Sequence, residues 1–231
     1  MTPAPETTFV LTSCGRFDLL AETMLTFLEH NSAPIDRYVV VEDSGDARVR
    51  DVLGGLPVAI DFVVNDPPQG QMASVDRAYA TVSTPWIFHC EDDWRFFRGG
   101  FVEESRAVLE ERRDVSVIVP RRLGQNPTHD AIVATAPPER VAGFAVRIPR
   151  PDAHPVWGGY SFNPGLRRLA DWRALGSFAA LGHEADASAW FLARGMRCAY
   201  LDSPACETTG LFRHVRDAAG PGRASRPAHD R

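Results

Sequence analysis

The sequence predicts an α/β domain: a mainly parallel sheet with helices packed on it, and a smaller mixed or antiparallel part toward the C-terminus. Three observations carry this. Short β-rich runs alternate with stretches of helical apolar periodicity through the first half of the 231 residues, as crossover connections require. Several runs end in polar residues, Thr12-Ser13, Glu42-Asp43 and Glu91-Asp92-Asp93 among them. From about Pro120 the pattern loosens into shorter runs. Residues 1–217 read as one domain, burying roughly 70 to 75% of the unfolded surface, and the Gly, Pro and Arg-rich tail 218–231 reads as disordered.

In chain order, Phe9 to Thr12 is the first strand, and Phe17, Leu20, Met24, Phe27 and Leu28 share one face of a helix that Asn31-Ser32-Ala33-Pro34 ends. Tyr38 to Val41 is the second strand. A short helix through Val49 to Leu53 leads to a strand over Val58 to Val64, and Asn65-Asp66-Pro67-Pro68 forms a loop. Gly70 to Val82 reads as helical, and Trp86 onward as the fourth strand. A helix with Phe101, Ser105, Val108 and Leu109 on one face precedes the strand Val115 to Val119. Ile132 to Ala136 and Val141 to Ile148 read as strands, Leu166 to Leu175 and Glu184 to Arg194 as helices, and Arg197 to Leu201 as a last strand.

Composition excludes several classes. A net charge of −5 argues against a general nucleic-acid binder, which needs a basic face. All 25 basic residues are arginine, a bias that reflects a GC-rich coding genome. No run approaches the roughly 18 apolar residues needed to cross a bilayer, and the first residues lack a secretory pattern. A cytoplasmic location is therefore expected, with peripheral membrane contact left open. Cys14, Cys90, Cys198 and Cys206 form no CxxC pair, so structural disulfides are not expected.

The acidic turn holds the most chemistry. Trp86-Ile87-Phe88 delivers three consecutive carboxylates, Glu91-Asp92-Asp93, followed by Trp94. Such a series at the end of a buried strand costs free energy unless a cation or hydrogen-bond donors share the site. A divalent ion carrying a nucleotide diphosphate would supply that charge; a polar strand cap is the plain alternative. Alternation along an extended chain sets Glu91 and Asp93 on one side and Asp92 on the other. No GxGxxG or GxxxxGK[ST] follows the first strand, so a nucleotide would be held otherwise.

The order of these signals resembles the GT-A glycosyltransferases of family 2, single Rossmann-like domains that use nucleotide sugars. Leu11-Thr12-Ser13-Cys14-Gly15-Arg16 resembles their first strand and turn, Glu42-Asp43-Ser44-Gly45-Asp46 their second strand end, and Gly70-Gln71-Met72-Ala73-Ser74-Val75-Asp76 the helix before their DxD-type turn. The resemblance implies a nucleotide-binding half at about 7–120 and an acceptor half at about 121–217. It further implies donor contacts from Thr12, Ser13, Arg16, Asp43, Gly70, Gln71, Glu91 and Asp92, with Asp43 accepting the imide N–H of the base. Asp93 would be the main ligand of Mg²⁺ or Mn²⁺, with Glu91 and the late His214 as further ligands. In the late Gly182-His183-Glu184-Ala185-Asp186 segment, Glu184 takes the place of the general base and Asp186 is the fallback. Trp157, Gly158, Tyr160 and Trp94 could line an acceptor platform, since aromatic faces stack on sugar rings; a core-packed loop is the alternative.

The implied activity is metal-dependent, inverting transfer of a sugar from a UDP-, dTDP- or GDP-linked donor to a hydroxyl of a polysaccharide, glycolipid or natural product. Two rivals stand beside it. A non-catalytic nucleotide-sugar or carbohydrate-binding protein would keep the fold without the chemistry. A sugar nucleotidyltransferase would need a Gly-rich basic loop after the first strand, which Ser13-Cys14-Gly15-Arg16 does not provide.

Overall fold

Phe9, Val10 and Leu11 are fully buried on alternate faces of the sheet, which puts their strand, β1 (Thr7–Ser13), in its interior. The computed structural model describes residues 6–210 and Arg213. β1 pairs in parallel with β2 (Arg37–Glu42) on one side and β4 (Trp86–Glu91) on the other, and β3 (Ile60–Val64) continues the parallel edge beyond β2. Beyond β4 the direction changes. β9 (Gly165–Arg168) runs antiparallel to both β4 and β6 (Val115–Val119), and β10 (Arg197–Leu201) lies parallel to β6. The hairpin β7 (Glu139–Val141) and β8 (Phe144–Arg147) closes that edge, giving nine strands in the order β3-β2-β1-β4-β9-β6-β10-β8-β7.

Helices cover both faces because both faces are apolar. On one side α1 (Phe17–His30) and α4 (Phe101–Glu111) pack Leu20, Met24, Phe27 and Phe101 onto Phe9, Leu11 and Phe88. The Phe9 and Phe27 rings lie 4.2 Å apart there. On the other side α3 (Gln71–Tyr79), α7 (Phe178–Leu181) and α8 (Glu184–Leu192) pack Val75, Tyr79, Phe178 and Phe191 onto Val10, Ile87 and Val117. The short helix α2 (Val49–Leu53) inserts Val49 and Leu53 into the first core.

The first 120 residues follow the sequence reading closely, with Val49–Leu53 and Val115–Val119 reproduced to the residue. The C-terminal part departs from it. Ile132 to Ala136 is not a strand: Pro127–Ala134 forms helix α5, because Asn126 caps it by accepting the His129 N–H at 3.1 Å and Pro127 opens the first turn. Val141 to Ile148 is not one strand, since Ala142 (φ 50°) and Gly143 (φ 86°) make the left-handed pair of a two-residue hairpin turn between β7 and β8. The helix expected from Leu166 begins only at α6 (Leu169–Leu175), because Gly165 to Arg168 is drawn into the sheet as β9. Besides β9, three elements are absent from the sequence reading: α7, β5 (Trp94–Phe96) and its antiparallel partner β11 (Cys206–Thr208). Among the described residues no helix is long and apolar enough to cross a membrane.

Candidate functional site

The carboxyl ends of β1, β2 and β4 open onto a cleft of about 230 Å³. Thr12, Ser13, Cys14 and Arg16 wall it from the first strand and its turn, Asp43 from the second, Gln71 and Ser74 from α3, and Glu91, Asp92 and Asp93 from the fourth. A crevice outside the carboxyl ends of parallel strands is where open α/β sheets bind ligands. Seven of the eight residues expected to contact a donor line this cleft together with Asp93; the eighth, Gly70, is not in the lining and donates its N–H to Asp43.

Asp43 organises the wall around itself. Its Oδ1 accepts from Asn65 Nδ2 (2.7 Å), the Gln69 N–H (2.8 Å) and Ser74 Oγ (2.9 Å), and its Oδ2 from the Gly70 N–H (2.8 Å). Gly70 sits at φ 84°, the left-handed region that lets its N–H reach the carboxylate as α3 begins. Three bonds saturate Oδ1, so Oδ2 alone keeps capacity for a base N–H. Behind it, Glu42 is fully buried and its Oε1 accepts the Gly15 and Ser44 N–H groups, each at 2.8 Å, tying the first two strand ends together.

The acidic turn does not keep strand alternation. β4 ends at Glu91, and the two residues after it bend so that Asp92 and Asp93 both meet Arg16. Arg16 grips Asp92 with Nε (3.2 Å to Oδ2) and Nη2, and its Nη1 donates to Asp93 Oδ2 (3.0 Å) and to the Arg213 carbonyl (2.9 Å). Ser13 Oγ adds a bond to Asp92 Oδ2 at 3.2 Å. Asp92 is 1% exposed, and burial lifts its carboxyl to about 6 against the pull of Arg16. Glu91 turns the other way, where its Oε1 accepts from Gln71 Nε2 at 2.7 Å. Burial, then the charges of Asp93, Glu184 and Asp92 in that order, push Glu91 well above the ordinary carboxylate range. Glu184 is not itself part of the cleft wall.

Among the described residues no three His, Cys, Asp or Glu side chains form a ready metal-ligand cluster. Asp93 and Glu91 nevertheless fit a hard divalent ion, because each has a carboxylate oxygen outside the bonds just described, and Mg²⁺-type ions are commonly held by one or two carboxylates plus substrate phosphates. His214 lies outside the described residues, so its expected place as a ligand has no structural counterpart here.

Glu184 opens α8 and its Oε1 accepts the Phe162 N–H at 3.0 Å. Asp186 lies two residues further on, about 200° around the helix, and so projects from a different side. The acceptor platform is corrected in two places. Tyr160 is 3% exposed, its ring stacked on Phe191 at 4.8 Å, and Trp94 is 4% exposed within the α1 and α4 core. Both are core anchors, held there because their large apolar faces gain more from burial than from exposure. Trp157 packs its ring at 4.6 Å from that of His129, and Gly158 is buried beside it, away from the cleft. Reading the sequence missed Cys14 in the cleft wall and Asn65 behind Asp43; the polar Asn65 ending the apolar run of β3 was the available signal.

No family model matches the sequence, and no curated protein matches it by sequence. Solved structures do match in shape, and they give the chain the GT-A-like α/β fold of glycosyltransferases. One is the mannosyltransferase PcManGT from Pyrobaculum calidifontis in complex with GDP-Man and Mn²⁺, with a TM-score of 0.61 and 14% identity over 92% of this chain and 59% of that one. Another is S. aureus TarS, with a TM-score of 0.62 and 11% identity over 88% of this chain and 36% of that one. Residues 1–349 of TarS in complex with UDP give 0.61 and 11%, over 88% and 60%. The chain thus spans less than two thirds of each of these proteins, and at such identities the likeness concerns the fold.

Proposed function

We propose that this protein is a glycosyltransferase that moves a sugar from a nucleoside-diphosphate donor to a hydroxyl acceptor by single displacement, with inversion and with help from Mg²⁺ or Mn²⁺. The observation that carries the reading is the cleft in which Thr12, Asp43 and the Glu91-Asp92-Asp93 turn converge at the carboxyl edge of a GT-A-like sheet. The similar structures that hold GDP-Man with Mn²⁺, and UDP, support a nucleotide-sugar donor.

In this reading Asp43 Oδ2 and Thr12 meet the base and ribose, while Gln71 and Ser13 orient Glu91 and Asp92. A divalent ion on Asp93 and Glu91, when bound, would act as a Lewis acid toward the charge that grows on the leaving diphosphate. The acceptor oxygen forms its bond to the anomeric carbon as the bond from that carbon to the diphosphate oxygen breaks. The electron pair leaves with the diphosphate, and the hydroxyl proton passes to Glu184. General-base help of this kind contributes about 10² to 10⁴ in rate.

The test is binding and turnover with a panel of UDP-, dTDP- and GDP-sugars and Mn²⁺; failure of every donor to bind sinks the proposal. Asp93→Ala is expected to abolish metal-dependent donor binding, and Glu184→Gln to keep binding while losing at least about 10²-fold in turnover. The reverse pattern contradicts these roles. The grip of Arg16 on Asp92 and Asp93 favours, as a second reading, a nucleotide-sugar binder without chemistry. Slow hydrolysis of bound donor separates the two, since a binder shows none.

A further inference from the structure

Arg167 stands in β9 opposite Ile87 of β4 and Val117 of β6, on the sheet face covered by α3, α7 and α8. It is 2% exposed, and no carboxylate among the described residues accepts a bond from it. Nη1 donates instead to the Tyr160 hydroxyl (2.7 Å) and the Ser161 carbonyl (3.2 Å), and Nη2 to the carbonyls of Asn163 (3.0 Å) and Gly165 (3.4 Å). The guanidinium also lies over the Tyr160 ring, 5.2 Å from its centroid. A cation buried among neutral acceptors is expensive, and well-packed apolar residues would often serve stability as well or better.

Three of these acceptors, Tyr160, Ser161 and Asn163, belong to the loop that leads into β9, and that loop is fastened to α8. Ser188 Oγ accepts the N–H groups of Gly159 (3.0 Å) and Tyr160 (3.3 Å), and Glu184 Oε1 accepts the Phe162 N–H (3.0 Å). Glu184 and Ser188 are four residues apart, so they lie on one face of the helix. The approach is close: a Cβ on Gly159 would lie 2.1 Å from the Ser188 carbonyl oxygen. Arg167 thus fixes the loop, and the loop fixes the first turn of α8.

We propose that Arg167 is a positioning residue for Glu184. Through Tyr160 and the loop carbonyls it holds the Phe162 N–H on Oε1, which leaves Oε2 to take the proton of the acceptor hydroxyl. The inference rests on the reading of Glu184 as the base. Displacing a reacting group by about 1 Å can cost 10²-fold in rate, so a loosened loop is felt in turnover before it is felt in donor binding.

The experiment compares the full-length chain with Tyr160→Phe, Arg167→Lys, Arg167→Met and Glu184→Gln, using the donor selected by the nucleotide-sugar panel. Donor Kd, kcat and melting temperature are measured for each. Tyr160→Phe removes only a hydroxyl and is expected to keep donor Kd within about twofold while kcat falls about tenfold; Arg167→Met is expected to lose about 10²-fold in kcat, and Arg167→Lys to recover part of it. If the Arg167 variants do not fold, Tyr160→Phe decides. Unchanged kcat in Tyr160→Phe and in the folded Arg167 variants, beside an inactive Glu184→Gln, overturns this inference alone. So does a loss of binding and kcat together in proportion to the unfolded fraction. Wild-type turnover by Glu184→Gln overturns the base assignment and this inference with it, as does a failure of every donor to bind.

Discussion

Asp43 takes hydrogen bonds from Asn65, Gln69, Ser74 and Gly70, three of them on one oxygen, which makes it a structural hub of the cleft before it is a ligand contact. Asp43→Ala would leave those donors without an acceptor in a buried setting. The expected cost is on the order of 3 kcal/mol, read as a lower midpoint in urea unfolding. A cost below about 1 kcal/mol would mean that water replaces the carboxylate and that Asp43 is free to serve a ligand alone. The sequence revealed Asp43 as a strand-end acid, because strand ends follow from local apolar runs. It did not reveal the four donors, since Asn65 and Ser74 reach Asp43 only once β3 and α3 have packed. Arg16 and Asp92 are a similar case, 76 residues apart and joined only by the parallel pairing of β1 with β4.

At the scale of elements, the C-terminal half of the sheet, where β10 runs parallel to β6, depends on electrostatic ties as well as ladders. Asp114, just before β6, accepts from Arg112 Nε (2.8 Å) and from Arg197 Nη2 (2.6 Å) at the start of β10. The bond from Arg112, with help from Arg197, holds its carboxyl well below the usual range. In an unfolded chain the same group takes up its proton near 3.9. Its contribution to stability is therefore full above that pH and is lost as pH falls toward the folded value. Asp114→Asn is expected to lower stability at pH 7 and to flatten its fall below about pH 4, which urea midpoints at a series of pH values would check; an unchanged acid slope contradicts the assignment. The elements misread from sequence lie in this same region. α5 and β9 are short, and local propensity decides such segments weakly. Capping by Asn126 selects the first, whereas pairing with β4 and β6 selects the second.

For the whole molecule, Glu91 and Asp93 each keep a carboxylate oxygen for a cation in the cleft, so metal and nucleotide are expected to bind as a coupled pair. Mn²⁺ alone and a nucleoside diphosphate alone should each raise the melting temperature little, and the two together more than the sum. At a hundredfold excess over Kd the stabilisation is about 2.7 kcal/mol, or roughly 5 to 10 °C for a chain of this size. Strictly additive shifts in calorimetry would contradict the shared site. The amino-acid order alone determined the parallel α/β half, its core and the acidic strand ends, because apolar periodicity and turn residues are local signals. Only the tertiary structure decided that β9 enters the sheet against its neighbours, that Arg16 pairs with Asp92 and Asp93 of the acidic turn, that Tyr160 and Trp94 are core rather than surface, and that a buried Arg167 reaches Glu184 through a loop. Those outcomes depend on which distant segments share a face once the chain has packed, a property that no local stretch of sequence carries.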